Sequence, residues 1–249
     1  MFDKLVADVK YMNGEYEAAA EMYREGAREG ELIAAFDYGY CLWRGIGVPR
    51  DAKEAKSYFV FARDLEGGEA CYNLAVMYMQ GDGVPKSYKF AVDYMKSAAA
   101  LGCVEAQLYL GVAHTLGAVF EPDVIGICMI PYHKAEYLSA DTLISGDTTV
   151  DFEEDARLRY AAIVQNEHAA FEYFKKSARA DATYSPELVA KGKFLYAKCY
   201  ADGLGTDIDI RKSARLMLMA KNSGSAEAGA YLAEIGAQLL AEKRRVKSE

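Results

Sequence analysis

The sequence has little of what usually marks a catalytic or metal-binding protein. Its 249 residues hold five prolines, one tryptophan and three histidines. The five cysteines, Cys41, Cys71, Cys103, Cys128 and Cys199, are odd in number and form no CxxC or Cys/His pair at metal-ligand spacing. That argues against a disulfide scaffold, and the expected compartment is the reducing cytoplasm. No apolar run approaches the roughly 18 residues of a membrane span, so no membrane association is expected. Residues 1–6 carry charges where the apolar core of a secretion signal would lie, so no such signal is expected. Basic residues are in the minority, 29 Lys+Arg against 37 Asp+Glu, with a net charge of -8. General nucleic-acid binding is thereby disfavoured, because no basic surface stands ready to displace counterions.

What the sequence does have is small and aromatic residues: 40 alanines, 21 glycines and 19 tyrosines in a chain that is 52% hydrophobic. This is ample material for a core and too apolar for disorder. The residues recur. An offset of 36 lays Gly45-Ile46-Gly47-Val48-Pro49 on Gly81-Asp82-Gly83-Val84-Pro85, Ala55 on Ala91, Tyr58 on Tyr94 and Ala62 on Ala98. The same step aligns Ala34, Ala70 and Ala106, and a step of 122 adds Tyr200, Gly203, Gly205 and Ala228. A fixed period of this length is the mark of a repeat architecture.

Each unit reads as two helices. Ala70, Leu74, Ala75 and Tyr78 follow helical spacing and stop at Gly81, the residue type suited to a left-handed helix end. After the loop, Asp51, Ser87 and Asp209 share one register and are good N-caps. The second helix carries Ala55, Tyr58, Phe59 and Ala62, with small residues allowing close approach and aromatics filling between neighbours.

The pattern A-x3-[LI]-[GA]-x2-Y-x2-G-x-G-V, then A-x2-[YW]-[YF]-x2-A-A and a later glycine, resembles the Sel-one-like repeat family, an α/α relative of the tetratricopeptide repeat. Ala70-Leu74-Ala75-Tyr78-Gly81-Gly83-Val84 and Ala91-Tyr94-Met95-Ala98-Ala99-Gly102 carry the likeness. It extends over residues 11–117 and 167–232, with departures at Val119, Ser213 and Leu216. The resemblance implies an all-α protein: a right-handed α/α superhelical solenoid of about five helix pairs, spanning 1–249 as one array. It also implies a protein-interaction scaffold without catalysis or cofactor. Secreted members of the family pair cysteines within each repeat. Here Cys41 and Cys199 stand alone at the register of Met77, as core residues would.

The period breaks in the third unit. Its first helix opens regularly with Ala106, Leu110 and Gly111, but Pro131 interrupts the place of the second. Register returns at Ala170, Tyr173 and Phe174, about 43 residues late. Residues 118–165 are therefore an acidic insertion in the third repeat. Its part 118–150 is expected as a long loop with a short helix near 132–138, followed by a helix over 152–180 capped by Thr149 or Asp151. Extra residues near Ser185-Pro186 are expected to lengthen the next turn, and 228–246 to form a capping helix.

No catalytic constellation emerges. His114 occupies the Tyr78 position, His168 opens a second helix, and the pair His133/Glu136 makes no complete metal site. Asp147, Asp151, Glu153, Glu154 and Asp155 lack the spacing of a calcium loop. No catalytic, cofactor or metal residue is assigned. A hydrolase using His133 and the inserted carboxylates is the weakest alternative.

In tetratricopeptide-like arrays the first helices line the concave face. The inward positions by register are Phe36, Tyr40, Trp43 and Arg44, then Tyr72, Val76, Met79 and Gln80. Leu108, Val112 and Thr115 follow, with Phe194 and Lys198 beyond the insertion. Such a groove suits a peptide or helix of another protein, since aromatic and Met side chains give large contact at modest entropy cost. The competing reading is that tight curvature or the inserted segment buries these residues. A second functional reading is a regulatory or immunity-type module that engages a basic partner through the insertion. Residues 121–155 hold nine acids against one base, Lys134, while the rest of the chain carries 28 of each sign. The whole net charge belongs to the segment that breaks the repeat.

Overall fold

The computed structural model describes residues 2–64, 68–117, 163–181, 186–233 and 236. Among them are helices and connecting turns with no strand. Two compact units divide at Cys103/Val104. The first holds α1 (Lys4–Met12), α2 (Tyr16–Arg28), α3 (Leu32–Arg44), α4 (Ala52–Phe61), α5 (Glu69–Gln80) and α6 (Tyr88–Ala100). The second holds α7 (Val104–Leu116), α8 (Glu167–Ser177), α9 (Pro186–Asp202) and α10 (Ile210–Asn222), and residues 226–233 are helical as well. Within the units, α1/α2, α3/α4, α5/α6, α7/α8 and α9/α10 pack as pairs, which is the paired packing of an α/α repeat solenoid.

The same local device closes every pair from α3/α4 onward. The carboxylate of Asp51 accepts the Glu54 N–H, the Ser87 hydroxyl that of Phe90, and Asp209 that of Lys212. Each cap satisfies a helix-start donor that has no intrahelical partner. The cap's own N–H reaches back to the first helix: Asp51 to the Leu42 carbonyl at 2.9 Å, Ser87 to Tyr78 at 2.8 Å and Asp209 to Tyr200 at 2.8 Å. Two glycines shape the turn between. Gly81 ends α5 in the left-handed region, and Gly83, also at positive φ, lies against the start of α4, where a Cβ would stand 2.6 Å from the Ala52 carbonyl. Gly47 and Gly205 take equivalent seats on the starts of α2 and α8. A second glycine is thus required by close backbone approach as well as by φ. It locks a loop onto the helix pair before it.

The third pair shows the device surviving the insertion. Asn166, not Thr149 or Asp151, caps α8: its side chain accepts the Ala169 N–H, and its N–H reaches the His114 carbonyl at 2.9 Å. His114 is the register equivalent of Leu42, Tyr78 and Tyr200. Residues 163–166 are not helical, so no single helix runs over 152–180: α8 starts at Glu167, capped by Asn166, and residues 152–162 lie outside the described residues. Ile163 is buried, as Val84 is at the equivalent place, and Gln165 lies beside Gly117 as Lys86 lies beside Gly81. Register therefore resumes by Ile163, earlier than Ala170. Thr149, Asp151 and the loop and helix expected over 118–150 lie outside the described residues.

Two further differences concern unit 2. Pro186 opens α9 instead of lying in a turn, so the extra residues there lengthen the helix at its start. Proline suits that first-turn position, where its missing N–H has no intrahelical acceptor. The capping helix expected over 228–246 is seen as helix up to residue 233, and its remainder lies outside the described residues apart from the helical residue 236.

Small residues set the spacing between partner helices. A Cβ on Gly39 would stand 3.0 Å from the Tyr58 Cβ, and one on Gly111 would overlap the Phe174 ring. Aromatics fill the adjoining space: Tyr38 meets Tyr58 edge-on at 4.9 Å, and Tyr78 stacks on Tyr94 at 5.7 Å. His114 stacks on Tyr173 at 5.8 Å in the same way, so it serves as a packing ring in the tyrosine register. At the N-terminal end, the Phe2 ring lies over Gly26 and the Tyr23 hydroxyl donates to Asp8 at 2.9 Å. Lys4 lies 3.6 Å from Asp37. Burial pushes the Asp37 carboxyl up to about 7, while Lys4 pulls in the opposite direction.

Candidate interaction surface

The thirteen inward positions do not share one environment. Trp43, Tyr72, Val76, Met79, Leu108, Val112 and Phe194 are buried, Trp43 to 2% exposure. Their apolar area is already withdrawn from water, so they act as core residues where open lining was expected. Phe36, Tyr40, Thr115 and Lys198 are half-buried, and Arg44 and Gln80 are exposed. These six are the positions a partner can reach.

In unit 1 the buried indole orders the exposed cation. Trp43 donates its Nε1–H to Asp82 at 2.7 Å and meets the Phe59 ring edge-on at 5.8 Å. Asp82 also receives Arg50, whose Nε donates to the Trp43 carbonyl at 3.0 Å. Asp82 therefore ties the second loop to α3 and satisfies an indole that would otherwise be a buried donor without an acceptor. Arg44 lies over the Trp43 ring at 4.7 Å and near Tyr40 at 5.8 Å. Its guanidinium makes no ion pair among the described residues. Stacking of this kind orders the cation and leaves its N–H fork for a carboxylate.

Unit 2 contains a cleft of about 290 Å³ between α7, α8 and α9. Three of the inward positions, Val112, Thr115 and Lys198, line it. Leu116, Phe174, Leu195 and Leu204 add apolar wall, and Glu167 and Asp202 add carboxylates. Register reasoning about first helices omitted Glu167 and Phe174, which come from the second helix α8. The omission has a physical origin, since a cleft between three helices is lined by all of them. Thr115 returns its hydroxyl to the Gly111 carbonyl at 3.0 Å. Asp202 accepts the Tyr231 hydroxyl at 3.1 Å, and the Lys198 ammonium lies 5.3 Å from the same ring. Cys199 also lines the cleft, but burial pushes its thiol up to about 12, which keeps it protonated and a poor nucleophile.

Among the described residues no three His, Cys, Asp or Glu side chains gather as a metal site would require. No helix among them is long and apolar enough to cross a membrane. Cys41, Cys71, Cys103 and Cys199 are buried, and no disulfide joins any two of them. His168 is exposed beside Phe171 at the start of α8. His133, Glu136, Cys128 and the acidic group over 121–155 lie outside the described residues.

Comparison with known proteins agrees with this geometry. A Sel1 repeat protein from Oxalobacter formigenes superposes with a TM-score of 0.65 at 18% identity, covering 93% of this chain and 75% of the other. A protective antigen of uropathogenic Escherichia coli displaying an SLR fold superposes with a TM-score of 0.66 at 22% identity. That match covers 96% of this chain but only 41% of the antigen. At such identities the likeness concerns the fold. The Sel1 repeat model itself matches residues 32–65, 68–103, 161–181 and 190–225, about half of the chain. The longest unmatched stretch, 104–160, takes in α7 and most of the inserted segment, and matching resumes at 161, just before the register that Ile163 and Gln165 restore. With its loop glycines, caps and paired helices all in the repeat's register, the chain belongs to the Sel1 repeat family, whose members are generally protein-interaction scaffolds and typically non-catalytic.

Proposed function

We propose that this protein is a non-catalytic scaffold that holds a peptide segment or helix of another protein against the accessible first-helix positions of its repeats. The observation that carries this reading is the unit 2 cleft, where two accessible register-derived positions, Thr115 and Lys198, meet an open, mainly apolar space. Concave apolar space with a few polar groups is what a side chain of a partner needs for docking. In unit 1, Arg44 stacked on Trp43 offers a pre-ordered cation next to half-buried Tyr40. A cytoplasmic location is part of the reading and is supported by the absence of any disulfide among Cys41, Cys71, Cys103 and Cys199.

The test is quantitative affinity purification of the wild type against two variants, Arg44→Ala and Leu116→Asp. Both side chains are solvent-exposed, Leu116 at 44%, so the fold should tolerate the changes. A partner recovered with the wild type and depleted at least fivefold with one variant is the expected result. Equal recovery with both variants would sink the assignment of these faces.

A further inference from the structure

The unit 2 cleft carries information about what it binds. Its volume, about 290 Å³, is near the lower limit for a small-molecule site and far too small for a helix. A cavity of about 150 Å³ accommodates a benzene ring, so this one has room for one large apolar side chain and part of a neighbour. Leu116, 44% exposed, gives that side chain an apolar wall at the mouth, and the largely buried Phe174 and Leu195 close the cleft behind it.

The polar groups divide into engaged and unengaged. Asp202 accepts the Tyr231 hydroxyl, and Lys198 lies over the same ring, so both are drawn toward Tyr231, outside the cleft lining. Glu167 is different. It is exposed at the first residue of α8, lines the cleft, and its carboxylate makes no hydrogen bond or ion pair among the described residues. The lining holds two acids, Glu167 and Asp202, against one base, Lys198, so its net charge is negative.

We infer that the cleft of unit 2 takes a partner segment presenting a large apolar side chain with a lysine or arginine within one turn of it, the apolar group between Leu116, Phe174 and Leu195 and the cation on Glu167. This rests on the scaffold reading above and adds to it the chemistry of the bound segment. Insertion of the apolar group displaces water from the cleft and lowers the local dielectric around Glu167. The two contacts then reinforce each other, and an acidic residue in place of the cation meets Glu167 with like charge.

The experiment uses the full chain and labelled nine-residue peptides with a central Leu and either Lys or Glu three residues later, plus a Lys peptide with central Ala. Binding is read by fluorescence anisotropy at low salt, and location by NMR shifts of the Leu116 and Leu195 methyls. The expected result is at least fivefold tighter binding of the Leu/Lys peptide than of Leu/Glu, about tenfold loss with central Ala, and a reversed preference in Glu167→Lys. Glu167→Gln should bring the Lys and Glu peptides close to equality, and circular dichroism checks that both variants fold. Equal binding of Lys and Glu peptides that Leu116→Asp abolishes would overturn the charge inference and leave the scaffold reading standing. A preference unchanged in Glu167→Lys would overturn it as well. Absence of any shift at Leu116 and Leu195 up to millimolar peptide would remove the cleft from both readings.

Discussion

The pairs α5/α6 and α7/α8 perform the same task with very different connections. In α5/α6 the chain passes from Gly81 to the cap Ser87 directly. In α7/α8 it leaves at Gly117 and returns to the cap Asn166 about 43 residues late by the repeat's count. The contacts at the join nevertheless match: a cap N–H on a first-helix carbonyl, a ring stack from the first helix to the second, and a side chain beside the first loop glycine. The pair is thus specified by its two helix faces and its cap, and the connection between them is free to carry something else. Loop-closure entropy explains why this is tolerable, since it grows only with the logarithm of loop length.

That comparison can be broken most severely at the second loop glycines. Gly83→Val and Gly205→Val should each cost about 3 kcal/mol or more, because a β-branched residue meets both a positive φ and a backbone wall. Urea melts following the two units separately would check it. If the seat on α8 is equivalent to the seat on α4, the two losses agree within about 1 kcal/mol. A harmless Gly205→Val would show that the insertion-bearing pair is built differently.

Removing residues 118–160 sharpens the comparison further. The deletion leaves a five-residue connection from Gly117 to Asn166, as in the second repeat. Chain entropy alone predicts a gain of about 2 kcal/mol. An increased urea midpoint with helical content retained is the expected outcome. Loss of cooperative unfolding would mean that the segment supplies packing the pair needs.

The smallest effects should come from the caps. Asn166→Ala and Ser87→Ala each remove one side-chain acceptor at a helix start, worth about 1 kcal/mol. Thermal denaturation should show similar decreases for both. A much larger loss at Asn166 would indicate that the cap must also hold the returning chain against its own entropy.

Much of this was legible in the residues themselves. The loop glycines and the caps Asp51, Ser87 and Asp209 act within a few residues of their own position, so spacing reveals them. Asn166 was legible by the same rule, since each cap stands four residues before the small residue at one fixed register of the repeat: Asp51 before Ala55, Ser87 before Ala91, Asn166 before Ala170 and Asp209 before Ser213. The acidic run at 151–155 masks it, because acids at a helix start are a general tendency while the cap geometry is specific. The exposure of the inward residues was not legible. Trp43 and Arg44 are adjacent in sequence, yet one is buried against Phe59 and Asp82 and the other lies over it in solvent.

The sequence by itself determined the repeat, its two-helix unit, its glycine turns and the pair that the insertion splits, because each rests on local backbone preference and on the period of small residues. Only the tertiary structure decided which of the thirteen inward side chains remain accessible and that Glu167 and Phe174 join Lys198 around one cleft. Those outcomes depend on contacts between helices far apart in the chain, and the period of a single helix holds no record of what lies across from it.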